Sequence, residues 1–154
     1  ECLSDLEFKS NFERIRIAVD IDTKNLRKDF VTDVFRLKIV LSNMISNAIK
    51  YQNLQRTDST FRISGQVNDQ EARLTFEDNG IGIGEKYLSK IFDMFSRAIE
   101  GGEGSGLGLY IVKQCVDKMQ GEIEVESKIN EGTRFSIYIP NMEVPKQMAQ
   151  PQEG

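Results

Sequence analysis

The 154-residue sequence contains no histidine, only two cysteines and only three prolines. Without histidine the chain cannot supply a Ser-His-Asp triad, an HExxH zinc site or an imidazole general base. Any chemistry must come from carboxylates, amides, Lys, Arg, hydroxyls or backbone, with or without a metal. Cys2 and Cys115 lie far apart with neither CxxC nor zinc-ligand spacing, and read as two reduced thiols rather than a lone disulfide. No apolar run is long enough to cross a bilayer and no signal-peptide pattern appears, which predicts a soluble piece. A surplus of positive charge is also missing: Lys plus Arg is 20 against 24 Asp plus Glu, for a net charge of -4. That balance argues against a nucleic-acid partner and against direct contact with an anionic membrane.

What is present is one domain's worth of chain with unevenly placed turn residues. Pro140, Pro145 and Pro151 all lie near the C-terminus. They place the end of the fold near Pro140 and predict a disordered polar tail over 141–154. Eight of the twelve glycines fall between Gly80 and Gly108, marking a long functional loop in mid-domain. Residues 14–22 alternate apolar and polar and predict a strand. Residues 33–52 carry Leu37, Val40, Leu41, Met44, Ile45, Ala48 and Ile49 at helical offsets, with Asp33 as N-cap. Segments 59–69 and 71–79 predict two strands turning near Asn68 and Asp69. A short helix is expected over 85–95, and another over 109–120 that Gly121 stops at its C-cap. Segments 122–128 and 133–140 predict a closing hairpin around Asn130, Glu131 and Gly132. This order implies an α/β (α+β) two-layer sandwich: a mixed, mostly antiparallel sheet of about five strands, covered on one face by about three helices.

Four constellations carry possible chemistry. Asn43, Asn47 and Lys50 share one face of the long helix and Tyr51 follows. An amide oxygen suits Mg²⁺, a Lys neutralises phosphate and a Tyr ring stacks on a base; a plain solvated face is the alternative. Asp78, Gly80, Gly82 and Gly84 follow a strand directly, so the backbone there can turn sharply and approach a ligand, or simply form a capped turn. Gly101, Gly102, Gly104, Gly106 and Gly108 run into a helix N-terminus, a phosphate cradle or else a linker. It is not a P-loop, since no GK[ST] follows. Ile91, Phe92, Met94 and Phe95, with Arg97, form either a core anchor or a hinged lid.

Together LSNMISNAIKY, DNGIGI, IFDMF and GSGLGL, closed by GTRFSIYIP, resemble the N, G1, F and G2 boxes of sensor histidine kinases. These belong to the GHKL class of ATPase domains, with the Bergerat fold. The resemblance covers about Arg14 to Pro140. Type II topoisomerases, mismatch-repair proteins and heat-shock chaperones share the first two boxes but lack the F box and the GLGLxIVK helix, present here as GLGLYIVK. The family often has Pro where Met94 stands.

The resemblance implies ATP and Mg²⁺ as ligands and assigns roles. Asn47 would ligate Mg²⁺ through its side-chain oxygen, supported by Asn43. Lys50 would contact phosphate and Tyr51 would pack on adenine. Asp78 would accept from the adenine 6-amino group above a floor of Gly80 and Gly82, with Thr133 in support. Gly104, Gly106, Leu107 and Gly108 would bring backbone donors to the phosphates, and Arg97 would reach the terminal one. Asn47, Lys50 and Arg97 form the catalytic set, beneath a lid spanning about 84–106. Guanine would face Asp78 with an acceptor, which costs about 1–3 kcal/mol in unpaired buried groups, so ATP is favoured over GTP.

On this reading, residues 14–140 are the ATP-binding catalytic domain of a two-component kinase. Residues 1–13 are the remnant of a connection to a separate dimerisation domain that carries the phosphoacceptor histidine. A response regulator receiver domain lies downstream. The expected location is cytoplasmic, within a parent that a membrane could anchor. Two alternatives stay open: a non-catalytic ATP- or ADP-sensing module, and an anti-sigma-type Ser/Thr kinase of the same superfamily.

Overall fold

A computed structural model describes residues 3–96 and 106–143. Nine elements follow in chain order: α1 (Leu3–Arg14), β1 (Arg16–Asp22), α2 (Val34–Lys50), β2 (Thr60–Val67), β3 (Glu71–Asp78), α3 (Glu85–Leu88), α4 (Gly108–Lys118), β4 (Glu122–Lys128) and β5 (Gly132–Pro140). The five strands form one sheet in the order β1-β2-β3-β5-β4. Only β1 and β2 pair in parallel, across the crossover that contains α2; the other pairings are antiparallel.

Alternation in the strands sets which face is buried. Phe61 and Ile63 of β2, Ala72 and Phe76 of β3, and Phe135, Ile137 and Ile139 of β5 point toward the helices and are buried. The same face receives Val40, Met44, Ala48 and Ile49 of α2 and Val112, Cys115 and Val116 of α4. Two aromatic pairs, Phe61 with Phe76 and Phe92 with Phe135, tie this core together. The opposite face is polar, and one transverse row of it, Arg62, Glu77, Arg134 and Glu126, alternates in charge across four strands.

Asp33 caps α2 as the sequence predicts: its carboxylate accepts from the Arg36 amide at 3.0 Å. Other elements differ from expectation. Residues 3–14 form a helix. The helix expected over 85–95 shrinks to Glu85–Leu88, and bonds from Lys90 to Tyr87, Asp93 to Lys90 and Ser96 to Asp93 make three-residue turns instead. An α-helix turns adjacent side chains apart by about 100°, whereas here Ile91 and Phe92 both pack on the core. At the end of α4 the left-handed residue is Gln120 (φ 60), not Gly121. Gly121 is required for proximity instead, since a Cβ there would stand 2.1 Å from the Tyr138 carbonyl oxygen. Cys115 is a free, buried thiol; Cys2 lies outside the described residues.

The packed structure continues past Pro140. Asn141 is 3% exposed. Its Oδ1 accepts from the Val31 and Glu143 amides, and its Nδ2 donates to the carbonyls of Asp29 and Asp69. One side chain thereby joins the segment before α2 to the β2–β3 turn. Residues 144–154, where most of the expected tail falls, lie outside the described residues. Asn141→Ala leaves these backbone groups without partners, and we expect it to lower the unfolding free energy by about 2–3 kcal/mol. Urea denaturation with an unchanged m-value checks this.

Candidate functional site

The site is assembled along α2, which meets the start of α4 at Asn43 and the turn after β3 at Tyr51. Burial of one face of α2 turns Asn43 and Asn47 to its half-buried flank and leaves Lys50 and Tyr51 exposed at its end. Asn43 donates from Nδ2 to the Ile39 carbonyl one turn back, at 2.8 Å. Its Oδ1 lies 3.0 Å from where a Cβ on Gly108 would stand, so the glycine lets the first turn of α4 close against the asparagine stripe. Leu107, the N-cap residue of α4, provides no side-chain cap. The first amides of an 11-residue helix are thereby left available to an anion.

The turn after β3 has almost no slack. Tyr51 is the C-cap of α2, and its carbonyl accepts from the Ile81 amide at 3.0 Å. A Cβ on Gly80 would stand 2.3 Å from that same oxygen. Gly82, at φ 73, would collide with the Lys128 carbonyl at 2.1 Å. Glycine at both positions therefore reflects closeness, and at Gly82 also a left-handed backbone.

Asp78 ends β3 facing the helical layer, two residues beyond buried Phe76. Gly80 donates to its Oδ1 at 2.8 Å. Burial pushes the Asp78 carboxyl up to about 6, against the pull of the Gly80 and Thr133 amides; nearby Glu77 adds to the rise. Thr133 is the cross-strand partner of Asp78 and is buried. Its support comes from the backbone, because its hydroxyl is spent on Ser127 at 2.8 Å. Ser127 in turn donates to the Gly132 carbonyl and accepts from the Ile83 amide.

Ser127 is a residue the sequence reading missed. Its signal was a polar side chain at an inward position of an alternating strand. Asn79 was missed as well. Its side chain accepts from the Thr60 amide at 2.8 Å and donates to the Asp58 carbonyl at 2.9 Å, pinning the turn to the start of β2.

The structure thus seats Gly108 against Asn43, and gathers Gly80, Asp78 and Thr133 beside Tyr51, at two places along α2 with Asn47 and Lys50 between them in sequence. Gly106 (φ 71) packs on the backbone of Phe95 and Ser96, at 2.7 Å from where its Cβ would be. The described residues on either side of segment 97–105 are therefore in contact. Arg97 and Gly104 lie within that segment, outside the described residues, as does much of the expected lid.

A separate concavity of about 710 Å³ opens on the polar face of the sheet, lined by Arg16, Arg62, Glu77 and Arg134. It also includes Asp78 and Thr133. The side chains of both residues project to the opposite, helical face, which is where the turn glycines and α2 stand. We therefore place the candidate site on the helical face.

Residues 32–143 match the family of histidine kinase-, DNA gyrase B- and HSP90-like ATPases. A probable C4-dicarboxylate sensor kinase of Bacillus subtilis is 36% identical over 127 residues, which is 80% of this chain and 24% of that protein. The sensor protein SrrB of Staphylococcus aureus is 34% identical over 115 residues, covering 72% of this chain and 19% of its own length. The chain therefore spans about a quarter or less of these relatives. Among solved structures, the catalytic domain of histidine kinase ThkA aligns with a TM-score of 0.68 at 25% identity, covering 90% of this chain and 94% of that one. A mycobacterial sensor histidine kinase, MprB, aligns with a TM-score of 0.66 at 26% identity, over 89% of this chain and 93% of its own. With five strands in a mixed sheet, helices on one face and a family match across most of its length, this chain belongs to the histidine kinase-, DNA gyrase B- and HSP90-like ATPases.

Proposed function

We infer that the domain binds Mg·ATP on the helical face of its sheet and delivers the γ-phosphate to a histidine on a separate dimerisation domain. The observation that carries this reading is Asp78, a half-buried carboxylate at a strand end, held by backbone amides above glycines that admit no side chain. Such a group costs stability in the empty domain. It is repaid by a ligand that presents a hydrogen-bond donor, as the adenine amino group does.

Each chain group then has one task. Asp78 accepts from the base, Tyr51 covers it, and the α4 amides with Lys50 offset phosphate charge. Among the described residues no cluster of three or more His, Cys, Asp or Glu could hold a metal. Asn47 would hold Mg²⁺ through one amide oxygen, an oxygen donor of the kind that ion takes beside water and phosphate. The bound ion supplies charge neutralisation at the phosphates. Phosphoryl transfer then asks for position and electrostatics more than for covalent chemistry.

The acceptor histidine must come from elsewhere, since this chain has none. The names of the relatives support a sensor kinase as parent. On that reading we propose a response regulator as the next acceptor and a cytoplasmic location for this domain. No helix among the described residues is long and apolar enough to cross a membrane.

Mixing the domain with a related dimerisation domain and labelled ATP is expected to place acid-labile phosphate on that partner's histidine. Acid-stable phosphate on serine, or binding with no transfer to any partner, counts against this reading.

Asp78→Asn separates affinity from stability. The folded acid titrates at about 6, above its ordinary 3.8. Protonation therefore stabilises the empty fold, fully below about pH 4 and less as pH rises through 6. At pH 8 the amide variant avoids the penalty and should be more stable by about 1–3 kcal/mol, a gap that closes toward pH 4. The same variant should bind Mg·ATP at least about tenfold more weakly. For the unmutated domain, affinity should drop about tenfold from pH 7 to pH 5 as Asp78 protonates. Titrating both proteins across that range checks this, since the variant should lack that part of the drop.

A further inference from the structure

We propose that Gln52 is a positioning residue that carries the placement of α1 to the adenine end of the pocket. The proposal rests on the nucleotide reading of that pocket. Gln52 is 5% exposed and follows Tyr51 directly. Its Nε2 donates to the Asn11 carbonyl in α1 at 2.6 Å and to the Ile49 carbonyl of α2 at 3.0 Å. Asn11 lies in the last turn of α1, where carbonyls lack helical partners, so Gln52 caps that helix from 41 residues away. A second tie runs in parallel: Arg14 donates to the Leu54 carbonyl at 3.1 Å and to the Arg56 carbonyl at 3.4 Å.

From Gln52 the connection onward is short and stiff. The neighbouring Tyr51 carbonyl holds the Ile81 amide and stands where a Gly80 side chain would be. Gly80 in turn donates to the Asp78 carboxylate. A shift of the α2 terminus therefore moves the Gly80 amide and with it the acceptor for the base. The far side is clamped as well, by Arg56 on the Asn130 carbonyl and by the Asn130 amide on the Ile81 carbonyl.

What separates this role from ordinary packing is the route. Gln52 is the residue next to Tyr51, so the grip of the Asn11 and Ile49 carbonyls on its amide acts one residue from the carbonyl that seats Gly80 and Ile81.

The test uses the full chain and Gln52→Met. Thermal melting reports the fold, and a fluorescent methylanthraniloyl ATP with Mg²⁺ reports binding. Amide exchange at Gly80 and Ile81 reports the turn. We expect a cooperative melt, lowered by the loss of partners for the Asn11 and Ile49 carbonyls, with faster exchange at Gly80 and Ile81 beyond that at β5, and nucleotide affinity lower by about fivefold or more. A cooperative melt with affinity equal to the parent's and exchange at Gly80 and Ile81 changed no more than at β5 overturns the proposal. If Gln52→Met gives no cooperative melt, Gln52→Asn, which keeps the amide but falls short of Asn11, is read by the same three measurements. A parent that binds no nucleotide refutes the pocket reading instead, and the exchange data then decide the mechanical link by themselves.

Discussion

The carbonyl oxygen of Tyr51 has no free space around it, and the rest of the site depends on that. It ends α2, accepts the Ile81 amide and occupies the place of a Gly80 side chain. Three consequences follow from one crowded atom. The turn must contain glycine, the helix must end where it does, and Asp78 must sit within reach of the Gly80 amide. Crowding of this kind fixes geometry without strong bonds, because any displacement meets hard-core repulsion.

Around that contact the domain separates rigid walls from costly chemistry. The core supplies the walls, through inward residues of β2, β3 and β5 packed on α2 and α4. The cost is concentrated at Asp78, whose carboxyl is pushed to about 6 by burial. On the proposed nucleotide reading, a pocket that is destabilising when empty would discriminate well when filled, since a wrong base would leave the same carboxylate unsatisfied. Phosphate handling, on the proposed function, would require less precision: the helix amides and the exposed Lys50 tolerate small errors of position.

Much of this was legible in the sequence wherever the cause was local. Asp33 announced its helix because a cap and its amides lie within one turn. Asn43, Asn47 and Lys50 shared a face by periodicity, and the strands declared their inward residues by alternation. What escaped depended on distant partners. Asn141 looks like tail until Asp29, Val31 and Asp69 converge on it, and Gln52 looks like the end of the long helix until α1 arrives. Residues 3–14 carried only a weak apolar stripe, so the helix there was not foreseen. Gln120 adopts the left-handed conformation that its neighbour was expected to take. Gly121 was already committed to a close approach to β5.

The meeting of Gly106 with Phe95 and Ser96 has a consequence for how such domains diversify. Where the two ends of a loop are clasped by the framework, the span between them is closed whatever its length. Loop entropy then rises only logarithmically, about 0.6 kcal/mol for each doubling. Asp78, Gly80 and the asparagine stripe are held by contacts that do not run through positions 97–105, so a change of length there is not expected to displace them.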